Sequence, residues 1–396
     1  TELLATIADR CNDTIKMVVD CGCEFVPNKM LFEAGHSVPR SYEIKAGTGS
    51  GYIRPMEAEL KKIPTVTIRT RCKMDDFVVD ETGAVVGITA RTGYRFNAKL
   101  VNDDRENKTG KAVTIRAKKG VMLAAGGFSR DIEFRQAQDP RVVPSTDSTN
   151  QPGATSELWR ETMAIGCLQV QDDWIQCGPW TSPREKGMGI GWQFSQTAAA
   201  EYGLWVNSDG KRFVNELANR KVRADAIMVE GTAGKKCFSI CNEANVAPLK
   251  KQRPGFLVRM LERKIVEKYD TLDELAKAAG INAENLKKEV AAFNEIVKNK
   301  VDPVWGRYIN NAQTPLTEGP WYYGDLLPKV HHCMGGLVTD NDCRVLDVRT
   351  DKPIPHLYAA GEATGMVHGA VRLGSVAILD CLVFGRICGQ KVAAEK

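Results

Sequence analysis

LYAAGEATGMVHGAVRLGSVAILDCLVFGR, residues 357–386, decides the fold. It completes a unit that begins at Ile354. A short apolar run reads as a buried strand stopped at Gly361 and Glu362, a glycine-rich stretch follows, and an apolar helix over 374–389 opens on small residues. A strand that ends in glycine and leads to a helix N-terminus offers unpaired N–H groups and the positive end of a helix dipole, which suits a nucleotide phosphate. A second strand of this kind lies far upstream, where VMLAA runs into Gly126 and Gly127 within AVTIRAKKGVMLAAGGF (112–128). Each piece alone is compatible with a tight turn. No G-x-G-x-x-G follows a strand, because GTGSGY (47–52) and GMGIGW (187–192) have the wrong spacing and setting.

Working outward, TVTIRTRCKMDDFVVDETGAVVGITART (65–92) alternates as strands do, with a turn at 81–83. The first residues, TELLATIADRCNDTIKMVVDCG, read as an amphipathic helix rather than a signal peptide. From about 178 to 330 the texture changes. GLWVNSDGKRFVNE reads as a hairpin with an Asp-Gly turn, the pair Thr271 and Glu274 makes a capping box for a helix over 271–279 stopped by Gly280, and AENLKKEVAAFNEIVKNK is a second amphipathic helix. The chain is therefore expected to be α/β, with a first domain over 1–177 and 333–396 interrupted by a mixed insertion at 178–332.

Composition narrows the function. The 396 residues are 43% hydrophobic and 26% charged, which suits a globular chain, and no apolar run reaches the ~20 residues of a membrane span. The net charge of +5 is spread without a basic block, which argues against nucleic acid and is compatible with a small anionic ligand. Twelve cysteines lack the spacing of a disulfide framework or a metal site, and Cys237 and Cys241 (CFSIC) read as buried core. Cysteine abundance favours a reducing compartment. Cytoplasm and bacterial periplasm or cell envelope both stay open, because a sequence starting inside a helix without methionine looks like a fragment.

These residues carry a resemblance. The stretch 357–386 resembles the C-terminal flavin-binding signature of the fumarate reductase and succinate dehydrogenase flavoprotein family. VHHCMGGLVTDNDCRVLD (330–347) and GLWVNSDGKRFVNELANR (203–220) match its soluble, flavocytochrome-like branch of fumarate, urocanate and acrylate reductases. GVMLAAGGFSRD (120–131) and NQPGATSELWRETMAIG (150–166) match two further segments. The resemblance implies an FAD-binding Rossmann-like domain interrupted by an α+β capping domain that closes over substrate. In the family a G-x-G-x-x-G unit precedes the point where this sequence starts, so that unit is expected to be missing from this chain.

The resemblance further implies FAD, held by Ala125, Gly126, Gly127, Glu157, Glu362, Ala377 and Ile378, with His331 against the isoalloxazine edge and no metal. It implies an ene-reductase that passes hydride from flavin N5 to the β-carbon of an α,β-unsaturated monocarboxylate. His332 and Arg372 would hold the carboxylate and Arg220 would protonate the α-carbon. A guanidinium fork takes a carboxylate with two parallel bonds, and a histidine can add a third donor. Arginine is a poor acid, with a pKa above ~12, so Arg220 needs a strongly basic acceptor and a relay that reloads it.

The sequence departs from the fumarate pattern at several of these places. Gly178 in QCGPW replaces a histidine that holds a second carboxylate; Gln196, Thr197 and Ala200 stand at the relay, and Ser375 replaces a glycine of RLGG. Glu157 stands where aspartate is usual. Fumarate is therefore not expected to be the preferred substrate. Gln196, Trp180, Tyr202 and Ser375 are the candidate substrate contacts, Trp180, Phe194 and Tyr202 either accommodate a larger aromatic substituent or form plain core, and Tyr202 or an ordered water is expected in the relay. The implied setting is anaerobic respiration, with a small unsaturated acid as partner, an unidentified electron-donor protein or domain, no nucleic acid and no membrane span. Two alternatives stay open: a flavin enzyme acting on a ketosteroid or other neutral enone, and a non-catalytic flavoprotein-like subunit.

Overall fold

The structure is a computed structural model that describes residues 2–31, 33, 35–100 and 102–395. Its contacts divide the chain into two compact units, one made of Thr1–Val143, Pro152–Ile175 and His332–Lys396, the other of Pro144–Gln151 and Gln176–His331. The short segment Pro144–Gln151 joins the second unit because Ser148 bridges Val330 and Thr149 N–H donates to the Val330 carbonyl at 2.8 Å. One boundary falls between the adjacent histidines His331 and His332.

In the first unit the two glycine-ended strands, more than 200 residues apart in sequence, pair directly. Val121–Leu123 runs parallel to Pro353–Ala359, with Leu357 opposite Val121 and Ala359 opposite Leu123. Burial in this pair is concentrated at the strand ends, where Leu123 and the run Leu357, Tyr358 and Ala359 are buried, while Met122 is exposed. Arg344–Leu346 completes this sheet on the other side of Pro353–Ala359. Against it lie a three-stranded antiparallel sheet (Cys72–Val79, Val85–Thr92, Lys111–Arg116) and a core containing Phe77, Leu123, Phe128, Trp159 and Leu357. The helices Glu2–Asp20 and Val376–Ala394 pack through Leu3, Ile7, Val383 and Phe384. The alternating run expected from 65 begins as a strand only at Cys72. Arg71 adopts a left-handed φ of 51° that ends the extended backbone, and 65–71 are exposed.

The second unit is built on a four-stranded antiparallel sheet in the order Val266–Tyr269, Trp321–Leu326, Cys237–Asn242, Leu204–Asn207. Side chains alternate across it as the two-residue period demands. Phe238 and Ile240 enter the core that holds Leu275, Leu286 and Phe293, while Cys237 and Cys241 enter the opposite core with Trp180, Phe194 and Trp205. The helix Leu272–Ala279 has the capping box of Thr271 and Glu274 and ends at left-handed Gly280. The predicted hairpin turns at Gly210 (φ 76°), yet its return strand is reduced to a single bridge from Val206 to Arg212.

That hairpin is cut short because Arg212 leaves for a buried ion cluster. Glu216 is fully buried and takes Arg212 Nε at 2.8 Å on Oε1 and Arg212 Nη2 at 2.8 Å on Oε2, with Arg307 Nη1 3.2 Å from Oε2. Asp302 takes Arg212 Nη2 as well, at 2.9 Å. Burial alone would raise the Glu216 pKa; the arginines outweigh it and hold the carboxyl below its usual value. Glu216→Ala would leave Arg212 and Arg307 buried without their shared partner, so urea unfolding should report a loss of about 3–5 kcal/mol.

Candidate functional site

In the first unit, functional side chains gather around one carboxylate. After Pro353–Ala359 the backbone turns at Gly361 (φ 75°), and Glu362 follows in a short 3-10 turn, Gly361–Ala363. Glu362 Oε1 accepts the Cys333 N–H at 2.9 Å, and Oε2 lies 3.2 Å from His332 Nδ1. A Cβ on Gly127 would sit 2.3 Å from Glu362 Oε1 and 3.2 Å from Cys333 Cβ, so only hydrogen fits there. Glycine at position 127 thus makes room for this carboxylate. Ala125 and Gly126, the latter at φ 81°, form the same turn.

Burial lowers the His332 pKa below its ordinary 6.5, with Arg372 and His368 adding to the effect and Glu362 opposing it. Burial pushes Glu362 up, but His332, the Cys333 N–H and Arg372 outweigh it and hold the carboxyl below its usual value. His332 is therefore neutral at pH 7, in the tautomer whose Nδ1–H faces Glu362. Its Nε2 is buried and has no hydrogen-bond partner among the described residues.

The loop bearing Arg372 is clasped by a pair that sequence reasoning missed. His368 Nε2 lies 3.1 Å from Asp380 Oδ2, both side chains being buried, and the His368 ring stands edge-on to His332 at 5.2 Å. This closes residues 368–380 into a loop that contains buried Arg372, left-handed Ser375 (φ 65°) and the first turn of Val376–Ala394 with Ala377 and Ile378. His36 Nε2 adds a contact at 3.0 Å to the Gly374 carbonyl. His368 stands inside the quoted VHGAVRLG motif, which was its signal. Nothing in local periodicity connects it with Asp380. Glu157 begins the helix Glu157–Ala164 and pairs with Lys73, yet burial pushes its carboxyl up to about 7.

In the second unit Arg220 is the first residue of Arg220–Thr232, whose N-cap Asn219 accepts the Val222 N–H at 3.0 Å. Its Nη1 donates to Gln176 Oε1 at 3.4 Å, and its guanidinium lies 5.7 Å from the Trp180 ring centroid. Trp180 also meets Trp192 at 6.0 Å and the edge of His331 at 5.2 Å, while His331 Nδ1 bonds to Thr149 Oγ1 at 2.8 Å. Gln196, expected near substrate or relay, sits in a π-helical turn, Phe194–Ala200, and accepts Arg223 Nη1 at 2.8 Å. Tyr202, expected as a substrate contact or relay group, is buried and directed to Asn310 at 3.5 Å, with its carbonyl taking Gln313 Nε2 at 3.1 Å. Phe194 is core, with no exposed surface. Gln176 was the contact that sequence reasoning did not find.

Residues 26–378 match the family model described as an FAD binding domain. The chain belongs to that FAD-binding family. It is similar to the acrylate reductase flavoprotein subunit of Shewanella woodyi (36% identical, over 97% of this chain and 73% of the relative). It is also similar to the urocanate reductase of Eggerthella lenta (31% identical, 96% and 59%). Among solved structures, the open conformation of a flavocytochrome c3 fumarate reductase superposes with a TM-score of 0.74 at 29% identity, over 99% of this chain and 64% of that one. These likenesses place it in the soluble, fumarate-reductase-like branch of flavin oxidoreductases, with FAD as cofactor.

The residues fit that cofactor. Among the described residues each Glu362 oxygen has one partner, so each could still accept a hydrogen bond from a flavin-nucleotide hydroxyl. Apart from its chain neighbours, no described atom lies within 4 Å of where a Cβ on Gly126 would stand, and the helix Val376–Ala394 starts without a side-chain cap, so its positive end could face a flavin, although the Ile378 N–H already donates to the Ser375 carbonyl at 3.2 Å. Among the described residues no cluster of His, Cys, Asp or Glu is placed to hold a metal, and no helix is long and apolar enough to cross a membrane. Gly127→Ala should displace Glu362 and lower the FAD-to-protein ratio of the purified protein by about tenfold, read from its flavin absorbance.

Proposed function

We propose that this chain is an FAD-dependent ene-reductase that adds a hydride to the β-carbon and a proton to the α-carbon of an α,β-unsaturated monocarboxylate. The observation that carries the reading is the pair of buried side chains His332 and Arg372 beside partly buried Glu362, with His332 Nε2 lacking a hydrogen-bond partner among the described residues. The acrylate and urocanate reductases among its relatives support the substrate class. When bound, FAD supplies the hydride.

Addition of hydride at the β-carbon drives negative charge through the α-carbon onto the carboxylate. Arg372 can take that carboxylate with two parallel N–H bonds, and it does so at a buried position where a fixed donor counts for more than in water. His332 cannot donate from Nε2 while neutral, because its one N–H faces Glu362. An arriving carboxylate raises the histidine's proton affinity, so binding takes up a proton and turns Nε2 into a donor. Arg220 then gives a proton to the α-carbanion, a base strong enough to accept it from a guanidinium. Gln176 orients the guanidinium through its Oε1, and the Trp180 face holds it flat.

The FAD-loaded protein should oxidise reduced methyl viologen with at least one of acrylate, methacrylate, cinnamate or urocanate. Arg372→Ala should lower kcat/KM by roughly a hundredfold or more. If none of the acids oxidises the dye, the reading fails; if Arg372→Ala leaves turnover intact, a neutral enone replaces the acid. The proton taken up at His332 gives a second expectation. The apparent affinity for acrylate should fall as pH rises from about 5 to about 8, and His332→Gln should flatten that dependence.

A further inference from the structure

We infer that Trp180 is the specificity-determining residue beside Arg220, filling with its benzo ring the volume that a side chain at position 178 would occupy. The inference rests on the reductase reading above and names the part of the substrate class it selects.

Gly178 ends the strand Ile175–Gly178, two residues beyond Gln176, which accepts from Arg220. Strand side chains alternate, so positions 176 and 178 project to the same side, and a side chain at 178 would be delivered toward Arg220. Glycine removes it, and Trp180 takes the space. A Cβ on Gly178 would lie 2.6 Å from Trp180 Cζ3, 2.8 Å from Cη2 and 3.2 Å from Cε3, against an ordinary carbon contact of about 3.5–4.0 Å.

The indole has little room to withdraw. It is 4% exposed, with Trp192 at 6.0 Å, the His331 edge at 5.2 Å and Arg220 at 5.7 Å around it. The three atoms that exclude a side chain at 178 are all carbon. A second carboxylate brought to this wall would lose water without gaining a donor from position 178, and a bulky β-substituent would meet an indole already packed on its other sides. The substrate class selected is therefore the small, acrylate-like monocarboxylate, in preference to a dicarboxylate or a β-aryl acid.

The test uses the FAD-loaded protein as parent, Trp180→Ala, Gly178→Ala and the double variant, with reduced methyl viologen and acrylate, cinnamate or fumarate. The parent should favour acrylate over both other acids. Trp180→Ala should shrink the ratio of kcat/KM for acrylate over cinnamate by about tenfold or more. Gly178→Ala should lower acrylate turnover about tenfold in the parent but by no more than about twofold in the Trp180→Ala background, since the two positions compete for one volume. An unchanged acrylate-to-cinnamate ratio, or an equal cost of Gly178→Ala in both backgrounds, overturns the inference. Trp180→Phe repeats the ratio measurement should Trp180→Ala fail to fold. If the parent reduces no unsaturated acid, the reductase reading fails by itself. Thermal unfolding of the same four proteins still reads the competition between positions 178 and 180, and a cost of Gly178→Ala independent of residue 180 would count against it.

Discussion

Drawing a carboxylate partly out of water is unfavourable unless its oxygens are met by donors, and Glu362, with 21% of its side chain exposed, meets that condition in the first unit. Its two oxygens draw in the Cys333 N–H and His332 Nδ1, and they exclude any side chain from position 127. Four stretches of chain are thereby held to one another: the glycine turn, the His332 strand, the 361–363 turn and, through its charge, the Arg372 loop. The parallel pairing of Val121–Leu123 with Pro353–Ala359 brings both turns to the same strand ends. Removing the carboxylate would relieve the contact with Glu362 at position 127, whereas Gly126 and Gly361 would still be required by their left-handed backbone.

The second unit solves a similar problem with Glu216. Two arginines, the Trp205 N–H at 3.2 Å and the Asp302 partner of Arg212 surround it, while its own carbonyl accepts Arg223 Nη1 at 3.0 Å. The turn from Glu216 to Asn219 is fixed from both its side chain and its backbone, and Arg220 is the next residue. Buried ion pairs are weak evidence for net stability, because the desolvation cost offsets most of the attraction. What they supply here is position: a cation at the start of a helix, aimed at Gln176 and Trp180.

Much of this was legible in the sequence, and the residues show why. The strand-to-glycine units, the capping box at Thr271 and the helix from Ala283 are local patterns, and local physics dictates them. The glycine at 127 could be flagged, yet its reason is Glu362, 235 positions later, which no periodicity connects. His368 with Asp380 and Gln176 with Arg220 are likewise tertiary pairings; Trp180 against Gly178 is a local contact, but one set by the rotamer of the indole, which residue type alone does not fix. Alternation misled at 65–71, where a single left-handed residue outweighs seven residues of pattern. Gln196 and Tyr202 were expected as substrate or relay groups, and side-chain type does not reveal that they bond to Arg223 and Asn310.

Chain order has a consequence for synthesis on the ribosome. The second unit comes mostly from one continuous stretch, Gln176–His331, and can bury its core soon after it emerges. The first unit cannot. Val121–Leu123 must wait, its parallel edge unpaired, until Pro353–Ala359 leaves the exit tunnel more than 200 residues later. Parallel pairing across such a separation forms slowly and leaves apolar edges accessible meanwhile. The parallel pair in the cofactor-binding unit can therefore form only after nearly the whole chain has been made.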